Sequence, residues 1–330
     1  MITSCGGLGD VIMFTPALKR LKEKFPSCHI TFLCRDNHRQ VLEGLPYVDK
    51  VACIYRGKLF GRYRAVPALK GLDAIVFTDL QPVIMFFAKL LRIRIRAGYR
   101  FDWYKYPNSL TKELHDHVTI SRDYVAKIQA NAISEALETN LEGDMTNIEI
   151  SAPTGVEVQS IDRKLEKISL APDSPYILLS PFTGATGRNL TPKQAIQFVK
   201  FAEEKYKMPV VISAPPDKQD AAKNFSRYAL TESTTILELV ELVRRTKLLV
   251  TPDSGPMHIA GALGTKCVAI FSKDLPSRWA PKKNCLPICL NVSCSPCNSD
   301  TFNACTHFKC MRNISVDMII EACDKILGSN

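Results

Sequence analysis

Ile2-Thr3-Ser4-Cys5-Gly6-Gly7-Leu8-Gly9-Asp10 reads as a short strand running into a glycine loop. Beyond it Ala17, Leu18, Leu21 and Phe25 recur at helical spacing until Pro26 ends the run. The chain therefore opens as strand, loop, helix. Glycines at such a turn let backbone N–H groups approach a ligand at the positive end of the helix. The loop is not a dinucleotide fingerprint, because the G-x-G-x-x-G spacing is absent and no acidic residue ends a clear second strand. Asp10 carries two readings. It caps or charge-complements the helix, or it stands at the strand's C-terminal edge, placed to take a proton from a hydroxyl.

Outward from this unit the same rhythm continues. His29 to Cys34, Val51 to Tyr55 and Asp73 to Thr78 are nearly unbroken apolar runs, the pattern of strands buried on both faces of a parallel sheet. Between Glu138 and Pro175 the pattern loosens around Gly143, Pro153, Gly155 and Pro172, with one short amphipathic stretch from Ile161 to Leu170, so the interdomain linker is placed there. The alternation then restarts with strand Tyr176 to Ser180, helix Lys193 to Tyr206, strand Pro209 to Ser213 and a helix near Lys218 to Tyr228. Helix Ile236 to Arg245, strand Lys247 to Thr251, helix Asp253 to Leu263 and strand Cys267 to Phe271 complete it. This predicts an α/β protein of two doubly wound domains, residues 1–155 and 156–330, facing a cleft.

Bulk properties agree. A chain of 330 residues, 46% hydrophobic and 23% charged, can bury two cores and is far from a disordered composition. The apolar stretch from Pro82 to Leu91 is interrupted by Lys89 and is too short to span a bilayer, and the N-terminus lacks the layout of a signal peptide. The expected location is cytoplasmic. The net charge of +10 is concentrated between Lys50 and Lys105, where twelve Lys and Arg face three Asp. Such a patch points to an anionic partner or is simply a solvated basic face. Nucleic acid is not the expected partner, because interleaved aromatic and basic readout motifs are missing.

Two later loops repeat the strand-to-helix logic. Thr251-Pro252-Asp253-Ser254-Gly255-Pro256-Met257-His258 offers Ser254, Gly255 and the following N–H groups to a diphosphate, or is an ordinary capped helix with Pro256 in its first turn and His258 a structural histidine. Ser180 to Leu190 carries Thr183, Gly184 and Arg188, and Arg188 is a phosphate partner or a surface ion. Twelve cysteines in a long chain of this type read as thiols. Cys294, Cys297, Cys305 and Cys310 have spacing that suits a structural zinc or iron site, although the interval between the pairs is tighter than in zinc ribbons; the alternative is buried reduced thiols.

These residues resemble the signatures of glycosyltransferase family 9, the ADP-heptose heptosyltransferases of lipopolysaccharide biosynthesis. The resemblance rests on Gly6-Gly7-Leu8-Gly9-Asp10-Val11-Ile12 with Thr15-Pro16-Ala17-Leu18, and on Asp253-Ser254-Gly255-Pro256-Met257-His258-Ile259-Ala260. Weaker similarity fills the interval, including Leu45 to Val51, Leu72 to Val76, Arg96 to Tyr99 and Arg188 to Pro192. It implies a GT-B architecture of two Rossmann-like domains, the first holding the acceptor and the second the nucleotide sugar. It further implies Asp10 as general base, with Gly9, Thr183, Gly184, Arg188, Asp217, Asp253, Ser254, Gly255 and His258 around the donor and Arg56, Lys58 and Arg62 toward the acceptor. Arg188 stands where many relatives have Lys, keeping charge and changing geometry.

The implied reaction is an inverting transfer of heptose from an ADP-sugar donor to an anionic lipid-linked glycan, needing no cofactor for chemistry. Peripheral association with the inner face of the inner membrane would accompany it. Two other readings stay open: a relative that glycosylates a protein or uses another nucleotide sugar, and a non-catalytic nucleotide- or glycan-binding protein. Oligomeric state is not legible.

Overall fold

The computed structural model describes residues 1–55, 60–78, 81–101, 117–121, 123–297 and 299–328. The chain divides into two compact units, Met1–Ser151 and Ala152–Asn330.

The first unit is built on six parallel strands: β1 (Ile2–Ser4), β2 (Thr31–Arg35), β3 (Lys50–Ile54), β4 (Ala74–Phe77), β5 (Ile95–Phe101) and β6 (His117–Ser121), in the order β3-β2-β1-β4-β5-β6. Phe32, Leu33 and Cys34 are fully buried, as continuous apolar strands covered on both faces must be. Phe14, just ahead of helix Thr15–Lys24, meets Phe32 edge to face at 5.5 Å, and Leu18 and Leu21 extend that contact stripe. Helix Val125–Ala136 buries Val125, Ile128, Ala132 and Ile133.

The second unit has five parallel strands: β7 (Ile177–Leu179), β8 (Val210–Ile212), β9 (Leu248–Pro252), β10 (Cys267–Phe271) and β11 (Cys285–Cys289), in the order β11-β10-β9-β7-β8. Its core joins Phe198, Val199 and Ala202 of helix Pro192–Tyr206 to Ile319, Cys323 and Ile326 of helix Val316–Gly328.

Two sequence expectations change. The segment assigned to the linker holds helix Gly155–Glu166, closed by a reciprocal cap between Thr154 and Glu157. Its Lys164 forms a buried ion pair with Glu238 at 2.7 Å. The helix near Lys218 to Tyr228 is only Gln219–Lys223, because Leu230 N–H and Ile212 N–H pull the chain back against β8. Among the described residues no helix is long and apolar enough to cross a membrane.

Doubly wound sheets bind ligands beyond the carboxyl ends of their strands, where the strand order reverses. In the first sheet that point lies between β1 and β4, and in the second between β7 and β9. The short helix that follows β1 carries Asp10. The loops after β7 and β9 carry Thr183, Arg188, Asp253 and Ser254.

Candidate active site

After β1 the chain enters the short helix Leu8–Ile12, with Gly7 at its N-cap in extended conformation. The Gly7 N–H donates to Asp10 Oδ2 at 2.7 Å, so the carboxylate folds back over its own turn as a cap. The glycines follow from that geometry. A Cβ on Gly6 would lie 2.7 Å from Asp10 Oδ2. Gln129 Nε2 donates to the Asp10 carbonyl at 3.0 Å, and Arg35 Nε donates to the Cys5 carbonyl at 2.6 Å, fastening the loop to the helix after β6 and to β2. Gly9 is buried inside the helix, not presented on a loop surface.

The second unit gathers more of the expected residues. Arg188 Nη1 lies 3.3 Å from Asp253 Oδ2 and 3.8 Å from Asp274 Oδ2, so one guanidinium links the loops after β7, β9 and β10. Thr183 shapes the first loop from within: its N–H donates to Asn189 Oδ1 at 2.7 Å and its hydroxyl to the Ala185 carbonyl at 2.7 Å. Gly184 is exposed beside it. Gly187 is required by a close approach, since a Cβ there would meet the Phe308 ring at 2.1 Å.

Helix Gly255–Leu263 starts at Ser254 without a side-chain cap. Ser254 Oγ instead donates to the Pro252 carbonyl at 3.0 Å and lies 2.9 Å from Thr251 Oγ1. Its leading N–H groups keep the partial positive charge of a helix N-terminus, the arrangement that favours a phosphate. His258, in the first turn, is 2% exposed and packs edge-on to Trp279 at 6.3 Å. Burial lowers its pKa to about 4, so the imidazole is neutral. A neutral ring can donate one hydrogen bond and accept another, and it brings no positive charge to a diphosphate.

The remaining expected residues lie apart or outside. Asp217 is largely exposed and pairs with Lys218 at 3.3 Å. Arg62 is exposed at the start of the turn Tyr63–Leu69. Arg56 and Lys58 lie outside the described residues.

The four cysteines of the proposed metal cluster are neighbours. Burial pushes the Cys310 thiol up, reinforced by Cys297, Cys294 and Cys305, and Cys297 is pushed up by burial, Cys294 and Cys305. Cys297 Sγ donates to the Cys294 carbonyl at 3.0 Å, and Cys305 Sγ lies 3.8 Å from His307 Nδ1. Among the described residues, however, no three His, Cys, Asp or Glu side chains converge as a metal site requires.

Asp274 is a site residue the sequence reading passed over. Burial raises its carboxyl pKa, opposed by Lys273, Arg188 and Arg278. The signal was present, since it follows β10 at the same carboxyl edge. Phe308 had none, because its contact with Gly187 spans most of the unit's length.

Two parallel sheets of these orders, each with its loops at the reversal point, are the architecture of the GT-B fold. The structure aligns over its whole length with a glycosyltransferase of family 9 from Veillonella parvula (TM-score 0.79, 17% identity, 97% of that chain). It also aligns with the Escherichia coli ADP-heptose lipopolysaccharide heptosyltransferase II (TM-score 0.74, 15% identity, 99% of this chain and 97% of that one). The glycosyltransferase family 9 (heptosyltransferase) family model matches residues 202–306.

Among curated relatives, lipooligosaccharide heptosyltransferase 2 of Campylobacter jejuni is 32% identical over 103 residues, a match spanning about a third of either protein (31% of this chain, 32% of that one). The protein of that name in Haemophilus influenzae is 23% identical over 302 residues, 83% of each chain. The matched segment, these relatives and the shared fold make the chain similar to glycosyltransferase family 9.

Proposed function

We propose that this protein moves heptose from ADP-heptose to a lipopolysaccharide-type glycan acceptor, with Asp10 as general base and inversion at the anomeric carbon. The observation that carries the reading is the ligand-ready reversal point of the second sheet. There Arg188 faces Asp253 at 3.3 Å beside the helix N-terminus at Gly255.

In this reading the diphosphate accepts hydrogen bonds from Arg188 and from the N–H groups that begin helix Gly255–Leu263. These donors are fixed before the reaction, so they stabilise the charge that grows on the leaving group at little reorganisation, an effect worth several kcal/mol. Asp253 and Asp274 hold the guanidinium in place. The acceptor oxygen forms its bond to the anomeric carbon as the carbon–diphosphate bond breaks, and its proton passes to the Asp10 carboxylate. A carboxylate has about four acceptor positions, so capping Gly7 and receiving a proton are compatible.

The thiols of Cys294, Cys297, Cys305 and Cys310 have the donor chemistry of a zinc or iron site without its convergence among the described residues. The names of the relatives support a heptose donor and a lipid-linked acceptor bearing anionic groups; the basic segment from Lys50 to Lys105 supports the latter. Incubating purified protein with ADP-heptose or UDP- and GDP-sugars, each with a heptose-deficient core glycan, tests the assignment. Transfer with ADP-heptose alone supports it, and transfer from another nucleotide sugar, or none, overturns it.

A further inference from the structure

Cys34 on β2 and Cys53 on β3 are directly opposed across the parallel strand pair, with both side chains on one face of the sheet. Each thiol acts electrostatically on the other. Opposed residues on neighbouring strands have Cα atoms about 5 Å apart, inside the span a disulfide accepts. β3 is the edge strand, and Cys53 is partly exposed whereas Cys34 is fully buried.

We propose that Cys34 and Cys53 form a reversible dithiol–disulfide couple that cross-links the edge strand β3 to β2. Two features divide the labour between the sulfurs. Interaction with Cys34 and the Arg39 guanidinium lower the Cys53 pKa, opposed by burial, Asp36 and Glu43, while interaction with Cys53 and burial raise that of Cys34. Cys53 is thus the sulfur that is both reachable and nucleophilic. Cys267 and Cys285 are opposed in the same way on β10 and β11, so each sheet carries such a pair. Burial and the neighbouring thiols Cys285 and Cys323 push the Cys267 thiol up, whereas Cys53 has the Arg39 guanidinium acting on it.

With glutathione disulfide as oxidant, the Cys53 thiolate attacks one sulfur, forming a mixed disulfide and releasing one glutathione thiolate. The Cys34 sulfur then attacks Cys53, expelling the second glutathione. Two protein thiols are oxidised, one glutathione disulfide is reduced to two glutathiones, and the two thiol protons end on them. Cys34 precedes Arg35, whose Nε holds the Cys5 carbonyl at the start of the glycine loop, so the bond would form one residue from the loop's anchor.

The test is equilibration of folded protein in graded glutathione and glutathione disulfide, acid quenching, alkylation of remaining thiols and tryptic mass mapping. The expected product joins the peptide of residues 25–35 to that of residues 51–56 and disappears with dithiothreitol. Cys28 shares the first peptide, so Cys28→Ser should keep the cross-link and Cys53→Ser abolish it. Should Cys53→Ser fail to fold, Cys28→Ser still reads the intact pair. Cross-links of Cys34 only to Cys5, loss of the cross-link in Cys28→Ser, stable glutathionylation of Cys53 with Cys34 still alkylatable, or full reduction throughout would each overturn the proposal.

Discussion

Arg188 and Asp253 meet at 3.3 Å between the loops that leave β7 and β9, the neighbouring strands at which the second sheet reverses its order. The sequence separates them by 65 residues, and only parallel pairing of β7 with β9 makes them neighbours. Arg188→Ala should therefore weaken ADP binding about 10- to 100-fold through loss of a charge-assisted contact to phosphate. It should lower stability by only about 1–2 kcal/mol. Arg188→Lys should recover part of the affinity, since it restores charge without the planar fork. Calorimetric titration with ADP checks both, and unchanged affinity in the alanine variant would remove Arg188 from the donor site.

Asp10 serves as a cap in the structure and as a base in the proposed reaction, and the two roles separate chemically. Asparagine keeps a carbonyl oxygen to accept the Gly7 N–H and cannot take the acceptor's proton. Asp10→Asn should leave thermal stability and ADP affinity near wild type while kcat falls about 10²- to 10⁴-fold. Asp10→Ala should in addition destabilise the protein by about 1 kcal/mol, the cost of a lost cap. Near-normal turnover in Asp10→Asn would leave capping as its role.

His258 gives the protein an acid-sensitive term. Its folded pKa of about 4 lies below the ordinary value of 6.5, so the unfolded chain binds a proton first as pH falls. Its neutral burial is undisturbed above about pH 6.5, and stability is lost progressively from there toward pH 4, by up to about 3 kcal/mol. His258→Gln should flatten the melting temperature between pH 7 and pH 4.5. An unaltered acid slope in that variant would assign the sensitivity to other groups.

Lys164 and Glu238 bind helix Gly155–Glu166 into the second unit through an ion pair whose side chains are about one-tenth exposed. Glu238 also accepts from the Thr235 N–H at 2.7 Å and from Ser160, so its charge keeps partners when Lys164 is removed. Lys164→Ala should cost about 3 kcal/mol, the lower end for a broken buried pair. Lys164→Met with Glu238→Gln should recover much of it. Urea unfolding measures both, and a loss under about 0.5 kcal/mol in the single variant would class the pair with surface bridges.

Legibility followed the range of the forces. Strands β2, β4, β9 and β10 were readable because burial on both faces demands unbroken apolar runs, and the helix starting at Gly255 because Pro256 stands in its first turn. Helix Gly155–Glu166 was missed although Thr154 and Glu157 spell its cap, because surrounding prolines and glycines were weighed as a linker. The Lys218 to Tyr228 helix was overextended, because the return of the chain to β8 is a tertiary hydrogen-bonding choice that helical propensity does not record.

Asp10 shows the division most clearly. The sequence by itself determined that a carboxylate stands one short turn after the first strand, behind glycines that let the chain bend, and it determined the alternation that builds two doubly wound sheets. Tertiary structure decided that Gln129 and Arg35 fasten the turn that carries this carboxylate, that Arg188 belongs to Asp253 and Asp274, and that His258 is neutral. The reason is physical: strand periodicity and turn chemistry act over a few residues, whereas ion pairing and desolvation depend on which distant loops the parallel sheet order brings together.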